Sequence, residues 1–302
     1  MQLGMIGLGR MGGNMTQRLL KGGHSIVAYD PDKRARDAVV EKGAIAGDSI
    51  AQVVEKLAVP RAVWVMVPSG EPAEATIVEL SDRLSRGDIA VDGGNSYYKD
   101  SMRRAANLSR KGISFLDAGT SGGIWGLQEG YCLTVGGDIK AFRRLEPIFQ
   151  ALAPSAGTGY GRVGPSGAGH FVKMVHNAIE YGLMEAYAEG FELMQSKREF
   201  DLNLTEIADM WRYGSVVRSW LLDLTAAALN EDPELDDVQA YVEDSGEGRW
   251  TLAESIDLAV PVPVFALALQ MRFRSRQPQP FRDKLLAALR KQFGGHPVKK
   301  AK

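Results

Sequence analysis

The sequence predicts an α/β fold: a doubly wound, largely parallel sheet in the N-terminal half, followed by an all-α C-terminal half. Three observations carry this. The 34 glycines are uneven, 25 in residues 1–164 and 9 in residues 165–302, as strand-to-helix turns confined to one half would give. Uninterrupted apolar runs alternate with stretches of roughly 10–15 residues of helical character, the pattern of strands buried on both faces of a parallel sheet. After residue 164 the glycines thin out and apolar residues recur at helical spacing.

Taken in order, residues 2–7 are a short apolar run stopped at glycine, and residues 12–21 read as a helix with Met15, Leu19 and Leu20 on one face. Ser25–Tyr29 is the second strand, ending at Asp30. Ala62–Val67, stopped by Pro68, is the third. Asp88–Asp92 ends in Gly93-Gly94-Asn95-Ser96, and Ile113–Asp117 in Ala-Gly-Thr-Ser-Gly-Gly. Tyr131–Val135 precedes Gly136-Gly137. Gly157–Gly164 reads as a last glycine-rich stretch. From Ala168 to Met194 no proline occurs, which predicts a helix about 40 Å long at ~1.5 Å per residue, suited to the backbone of a separate helical domain. Helices are predicted at Leu204–Tyr213, Val216–Leu229, Leu235–Asp244, Thr251–Leu258, Pro263–Phe273 and Phe281–Phe293. The expected domains are residues 1–164 and 165–302, with a tail from about 276.

Composition narrows the function. A net charge of −1 argues against an electrostatic nucleic-acid binder. One cysteine, Cys132, leaves no disulfide framework, and the four dispersed histidines show no metal-binding spacing, so no metal is expected. No run of 18 apolar residues indicates a membrane span. The N-terminus reads as the start of a fold rather than a leader, so a cytoplasmic protein is expected.

Gly7-Leu8-Gly9-Arg10-Met11-Gly12 matches G-x-G-x-x-G between a strand and a helix, the Rossmann-type dinucleotide turn. The first glycine permits the tight turn, the second lets a pyrophosphate approach, and the third lets helix and strand pack. The helix N-terminus then offers amide groups to the phosphates. Asp30, 18 residues after Gly12, stands where a carboxylate would accept bonds from the adenosine ribose. It also repels a 2′-phosphate, which favours NAD over NADP, although Lys33 and Arg34 could soften that preference.

The long helix opens His170-Phe-Val-Lys173-Met-Val-His176-Asn177-Ala-Ile-Glu180-Tyr181. Lys173, Asn177 and Glu180 share one face, with His176 at its edge; Val172, Val175, Ile179 and Leu183 face elsewhere and are expected to pack. A solvated face with ordinary ion pairs has the same spacing. The small residues Gly167, Ala168 and Gly169 before the lysine, and the strand-end turns Asn95-Ser96 and Ser121-Gly122-Gly123, favour a site: a lysine base with a carboxylic acid two turns on.

These segments, together with residues 7–14, 92–96, 120–123, 169–182 and Phe293-Gly-Gly-His296, resemble the 6-phosphogluconate dehydrogenase family, decarboxylating class, in its short form within the β-hydroxyacid dehydrogenases. The similarity runs from Gly4 to His296. It implies oxidative decarboxylation of 6-phosphogluconate to ribulose 5-phosphate, a pentose phosphate pathway reaction, with NAD as cofactor and NADP as the alternative. It implies that Lys173 takes the proton of the C3 hydroxyl and later polarises the ketone, and that Glu180 protonates C1 of the enediol. Asn95, Ser121, Gly122, Gly123, His176 and Asn177 would hold the sugar acid, and Tyr181 and Arg272 its phosphate. Val67 and Asn95, at strand ends, join the glycine turn and Asp30 as cofactor contacts. Arg290 and His296 would enter the neighbouring subunit's site, implying a homodimer or homotetramer. The chain departs from the long form at Ser245, where that form carries a lysine, with Arg249 or a nearby basic residue as the expected replacement. The competing readings are a 3-hydroxyisobutyrate-type dehydrogenase and a non-enzymatic dinucleotide-binding module.

Overall fold

The apolar runs of the first half become one eight-stranded sheet: β1 (Gln2–Ile6), β2 (Ser25–Tyr29), β3 (Ile45–Ala46), β4 (Ala62–Val65), β5 (Ile89–Asp92), β6 (Ser114–Ser121), β7 (Cys132–Gly137) and β8 (Tyr160–Gly164). The computed structural model describes residues 1–300. The strand order is β3-β2-β1-β4-β5-β6-β7-β8. Every neighbouring pair is parallel except β6 and β7, which run antiparallel from Leu116 opposite Gly137 to Ser121 opposite Cys132. The order reverses between β1 and β4, which is where a doubly wound sheet opens a crevice at its carboxyl edge.

Strand alternation explains the two cores. Leu3, Met5, Ile26, Ala28, Trp64, Val91 and Leu116 face one side and pack with Met15 and Leu19 of α1 (Arg10–Lys21). Ile6, Val27, Val63, Val65, Ala90 and Phe115 face the other. That side is covered by α3 (Ile50–Lys56), α4 (Glu71–Arg83) and α5 (Tyr98–Ser109), whereas α2 (Lys33–Val40) contributes Val39 to the first side. α6 (Gly126–Glu129) lies between β6 and β7. α7 (Ile139–Leu152) covers the first side with Phe142, Leu145, Ile148 and Phe149.

The strands differ from the sequence reading in two respects. β3 and β8 carry too few apolar residues to stand out; Gly157–Gly164, read as a glycine-rich stretch, contains β8, which pairs with β7. β6 continues four residues past Asp117, because its antiparallel pairing with β7 keeps Ala118–Ser121 extended.

α8 (Ala168–Ser196) is a single helix of 29 residues, as the proline-free stretch predicts. The contacts divide the chain within it: Met1–His176 form one compact unit and the segment from Asn177 onward a second. The second contains α9 (Leu204–Trp211), α10 (Trp220–Glu231), α11 (Glu247–Asp257), α12 (Pro263–Ser275) and α13 (Phe281–Gly294). Its apolar clusters are small: one around Phe191, Ala208, Leu222, Ala226 and Leu229, another of Tyr181, Ala268 and Leu269.

The helix predicted at Leu235–Asp244 is absent. Leu235 sits at φ 53, in the left-handed region that ends helices, and the acidic run around it repels itself in a helix. The helix predicted from Val216 begins instead at Trp220, where the Ser219 side chain accepts from the Leu222 amide as a cap. Val172, Ile179 and Leu183, expected to pack, are exposed in the single chain.

Candidate functional site

The glycine turn between β1 and α1 is built as the motif requires. Gly7 has φ +91, and a Cβ on Gly12 would overlap the Gly7 carbonyl, so the helix can start this close to the strand only with glycine there. A Cβ on Gly9 would meet nothing within 4 Å. Gly9 is the N-cap of α1 and has no side chain to satisfy the amides beyond it. The turn therefore presents uncapped N–H groups, those of Arg10 and Met11 among them, beside open space at a helix N-terminus, the fit an anionic pyrophosphate needs.

Asp30, at the end of β2, closes the turn. Its Oδ2 accepts from the Leu8 amide at 2.7 Å and its Oδ1 from the Asp32 amide at 2.8 Å. Both oxygens keep a second lone pair, so the carboxylate can serve a ribose hydroxyl while holding the turn. The half-buried Val67 lies beyond β4, and Gly94 packs against its carbonyl.

The Asn95 turn is held from beneath. Asp92 and Arg104 are both buried and paired at 2.9 Å, Arg104 also reaches Ser96 Oγ at 3.3 Å, and Asp92 Oδ1 accepts from the Gly94 amide at 3.2 Å. The outer edge of Arg104 bonds Glu74 of α4 at 2.8 Å, and Glu74 also takes two bonds from Arg103. The Arg103 and Arg104 guanidinium groups hold the Glu74 carboxyl down at about 2. Asn95 itself stands exposed on this braced turn.

α8 starts against the sheet through glycines. A Cβ on Gly119 would overlap the Cβ of Lys173, and one on Gly169 would overlap the Asp117 carbonyl. The buried Asp117 carboxylate accepts from the Gly167 amide at 2.7 Å and the His170 amide at 2.9 Å, capping α8 from β6. Burial pushes the Asp117 carboxyl up, while His170 and the amide donors pull it back. Ser101 Oγ bonds His170 Nδ1 at 2.7 Å. Lys173 is thereby fixed and is only 8% exposed. Its Nζ lies 3.4 Å from His176 Nδ1, and His176 Nε2 lies 3.5 Å from Ser121 Oγ. Where Lys173 Nζ donates to Nδ1, the ring proton lies on Nε2 and faces Ser121 Oγ. Ser121 ends β6, and Gly122 (φ +133) and Gly123 (φ +52) turn the chain after it.

Further along the same helix, Asn177 is buried and Glu180 half-buried. In the second unit, Tyr181 and Arg272 come together: the guanidinium stacks 3.6 Å over the Tyr181 ring and donates to the Glu243 carbonyl at 2.8 Å. The Ser245 amide faces the Tyr181 hydroxyl at 3.4 Å, and the Ser245 hydroxyl donates to Glu247 at 2.5 Å. Arg249, one expected replacement for the long-form lysine, is committed elsewhere. It makes two bonds to Asp244 and lies 4.4 Å over Phe273. With Arg276 it holds the Asp244 carboxyl at about 2. Arg272 is the guanidinium over the Tyr181 ring, whose hydroxyl the Ser245 amide faces. Arg290 lies on the exposed α13, and His296 follows it against the Phe293 ring.

The structure adds residues the sequence reading missed. Asp92, Asp117, Arg104, Ser101 and His170 are buried polar groups that hold site residues. The available signal was a charged residue interrupting an apolar strand, as in Ile-Ala-Val-Asp92 and Phe-Leu-Asp117. Among the described residues, no group of three or more His, Cys, Asp or Glu side chains could hold a metal ion, and no helix is long and apolar enough to cross a membrane.

Comparison with known proteins gives concordant matches. Residues 2–161 match the family described as the NAD binding domain of 6-phosphogluconate dehydrogenase, and residues 169–301 match the C-terminal domain of 6-phosphogluconate dehydrogenase. A relative from Haloferax volcanii, named 6-phosphogluconate dehydrogenase, NAD(+)-dependent, decarboxylating, is 44% identical over 299 residues, 99% of this chain and 98% of its own. One from Bacillus subtilis, named putative 6-phosphogluconate dehydrogenase YqeC, is 42% identical over 300 residues, 99% of this chain and 100% of its own. Among solved structures, a Plasmodium falciparum 6-phosphogluconate dehydrogenase superposes with a TM-score of 0.85 at 26% identity. That match takes in 100% of this chain and 66% of the other.

Proposed function

Since the chain belongs to the 6-phosphogluconate dehydrogenase family, we propose that it oxidises and decarboxylates 6-phosphogluconate to ribulose 5-phosphate with NAD. The observation that carries this reading is the fixed lysine: Lys173, buried against Gly119 and linked through His176 to Ser121 of the substrate loop. A solvated helix face would leave such a lysine in water. A bare dinucleotide-binding module would have no use for a buried amine held beside a polar loop.

When bound, NAD supplies the acceptor for the hydride leaving C3 of the sugar acid. Lys173 accepts the proton of the C3 hydroxyl as that hydride departs. The product of this step is a β-keto acid. The Lys173 ammonium formed in that step then donates to the C3 carbonyl oxygen and stabilises the charge that develops as CO₂ is lost, so the ammonium serves as the general acid. Glu180 protonates the resulting enediol at the carbon that becomes C1 of the product. His176 keeps the lysine oriented and, with Ser121, Gly122, Gly123, Asn95 and Asn177, receives the sugar hydroxyls and carboxylate. The Tyr181–Arg272 pair supplies a stacked guanidinium with donors to spare for the phosphate. Arg290 and His296 are assigned to the site of a partner copy.

Asp30 supports NAD over NADP, because its carboxylate, held by the Leu8 and Asp32 amides, would repel a 2′-phosphate. Steady-state kinetics on 6-phosphogluconate with each nucleotide test the assignment; no turnover at saturating cofactor refutes it. Lys173→Met is expected to lower kcat by about 10³-fold or more with NAD binding kept, and Glu180→Gln by about 10²-fold. A Lys173 variant with ordinary turnover would remove Lys173 from the role of base.

A further inference from the structure

The substrate loop has little holding it from within. Between β6 and β7, residues Ser121–Gly130 form one tight turn and the four-residue α6; Ile124 and Trp125 are exposed, and only Gly126 and Gly130 are buried. A helix this short has no stability of its own. Its anchor is a side chain from another element. Arg18 of α1 donates from Nη1 to the Leu127 and Gln128 carbonyls at 3.3 and 3.4 Å. From Nε and Nη2 it donates to the Leu152 and Ala153 carbonyls at 3.0 and 2.5 Å. One guanidinium thus joins the carbonyls of the loop helix to those closing α7, the negative ends where a cation belongs. One turn before Arg18 on the same face, Asn14 Nδ2 donates to the Ile124 carbonyl at 3.4 Å. Below them Gly126 lies flat on the Tyr131 ring, which leaves no room for a Cβ.

Asn14 and Arg18 lie on the helix whose N-terminus is the glycine turn. We propose that Arg18 is a positioning residue for the substrate loop, so that the helix receiving the dinucleotide phosphates also sets Ser121, Gly122 and Gly123 for the sugar acid. This rests on the reading of those three residues as substrate contacts. The consequence is directional: a residue on the cofactor's helix, 11 positions after Gly7, governs affinity for the other substrate.

Arg18→Met keeps an unbranched apolar stem and removes all its donors; Arg18→Lys keeps the charge and loses the fork. For Arg18→Met, KM for 6-phosphogluconate is expected to rise about 10- to 100-fold. KM for NAD and kcat at saturation should stay within about threefold, with Arg18→Lys intermediate. A substitution that merely loosened the fold would weaken NAD in parallel. Amide hydrogen exchange over residues 121–130, measured without substrate, should speed up in Arg18→Met while β1 and β4 keep their protection. If Arg18→Met does not fold, Arg18→Lys decides by the same two measurements. Unchanged exchange in the loop, or NAD and sugar-acid affinities falling together, overturns the proposal. Faster loop exchange in a protein whose parent does not turn over 6-phosphogluconate would leave the anchor standing and remove the substrate assignment instead.

Discussion

Asp30, proposed as a nucleotide contact, also holds the fold of its own turn. Its two oxygens are held by the Leu8 and Asp32 amides, so its position beside the glycine turn is set before any nucleotide arrives. Asp30→Ser should shift the ratio of kcat/KM for NADP over NAD upward by about tenfold, because the charge that repels a 2′-phosphate is gone. It should also weaken both nucleotides somewhat, because the Leu8 amide loses a charged acceptor. Kinetics with both cofactors check this, and an unchanged ratio would move selectivity to Asp32, Lys33 or Arg34. The residues proposed to react were legible in the sequence because their spacing is a helix's: Lys173, Asn177 and Glu180 fall on one stripe of α8. Those that hold them were not. Arg104, Asp117 and His170 act through partners 12, 50 and 69 positions away, and no local pattern encodes such pairings.

Among the elements, α4 and α5 illustrate how a strand-end turn is braced from outside. Glu74 links them through Arg103 and Arg104, and its carboxyl is held at about 2 against an ordinary 4.5. A carboxyl depressed in the folded state adds stability that is complete above its unfolded value and is lost as pH falls through the folded one. Glu74→Gln should therefore lower stability by about 1–3 kcal/mol at neutral pH. Its unfolding curve should converge on that of the parent between pH 4.5 and about 2. Denaturant melts of both proteins across that range measure the convergence; a constant gap would mean the loss is one of packing. The long apolar strands and α8 were readable because burial on both faces, or a sustained helical period, writes itself into many consecutive residues. β3, with two residues, and β8, with two glycines among five, carry no such signal, and their pairing comes from neighbours already in place. The region 235–244 misled because apolar spacing survives there while the backbone turns left-handed at Leu235.

At the scale of the whole molecule, apolar surface is distributed unequally. Ile179 and Leu183 on α8, Val264, Leu267 and Met271 on α12, and Phe281, Leu285, Leu286, Leu289 and Phe293 on α13 are all exposed. Leucines and phenylalanines left in water forgo about 1.5–3 kcal/mol each, and such stripes belong against another surface. The chain is expected to run as an oligomer by light scattering. Removing residues 281–302 should abolish turnover and reduce the assembly, whereas a monomeric parent with full activity would refute the exchange of Arg290 and His296. The first unit depends on no such partner for its most exacting dimension. At Gly169 the helix meets the main chain of β6 and β7 directly, and at Gly119 the strand backbone meets the Cβ of Lys173 with no side chain of its own in between. Interdigitated side chains give way a little whenever one is replaced, and the error accumulates with distance. Two backbones in contact cannot be shimmed. The height of the Lys173 stem above the sheet is thus a fixed datum, which a substitution within either core would leave in place.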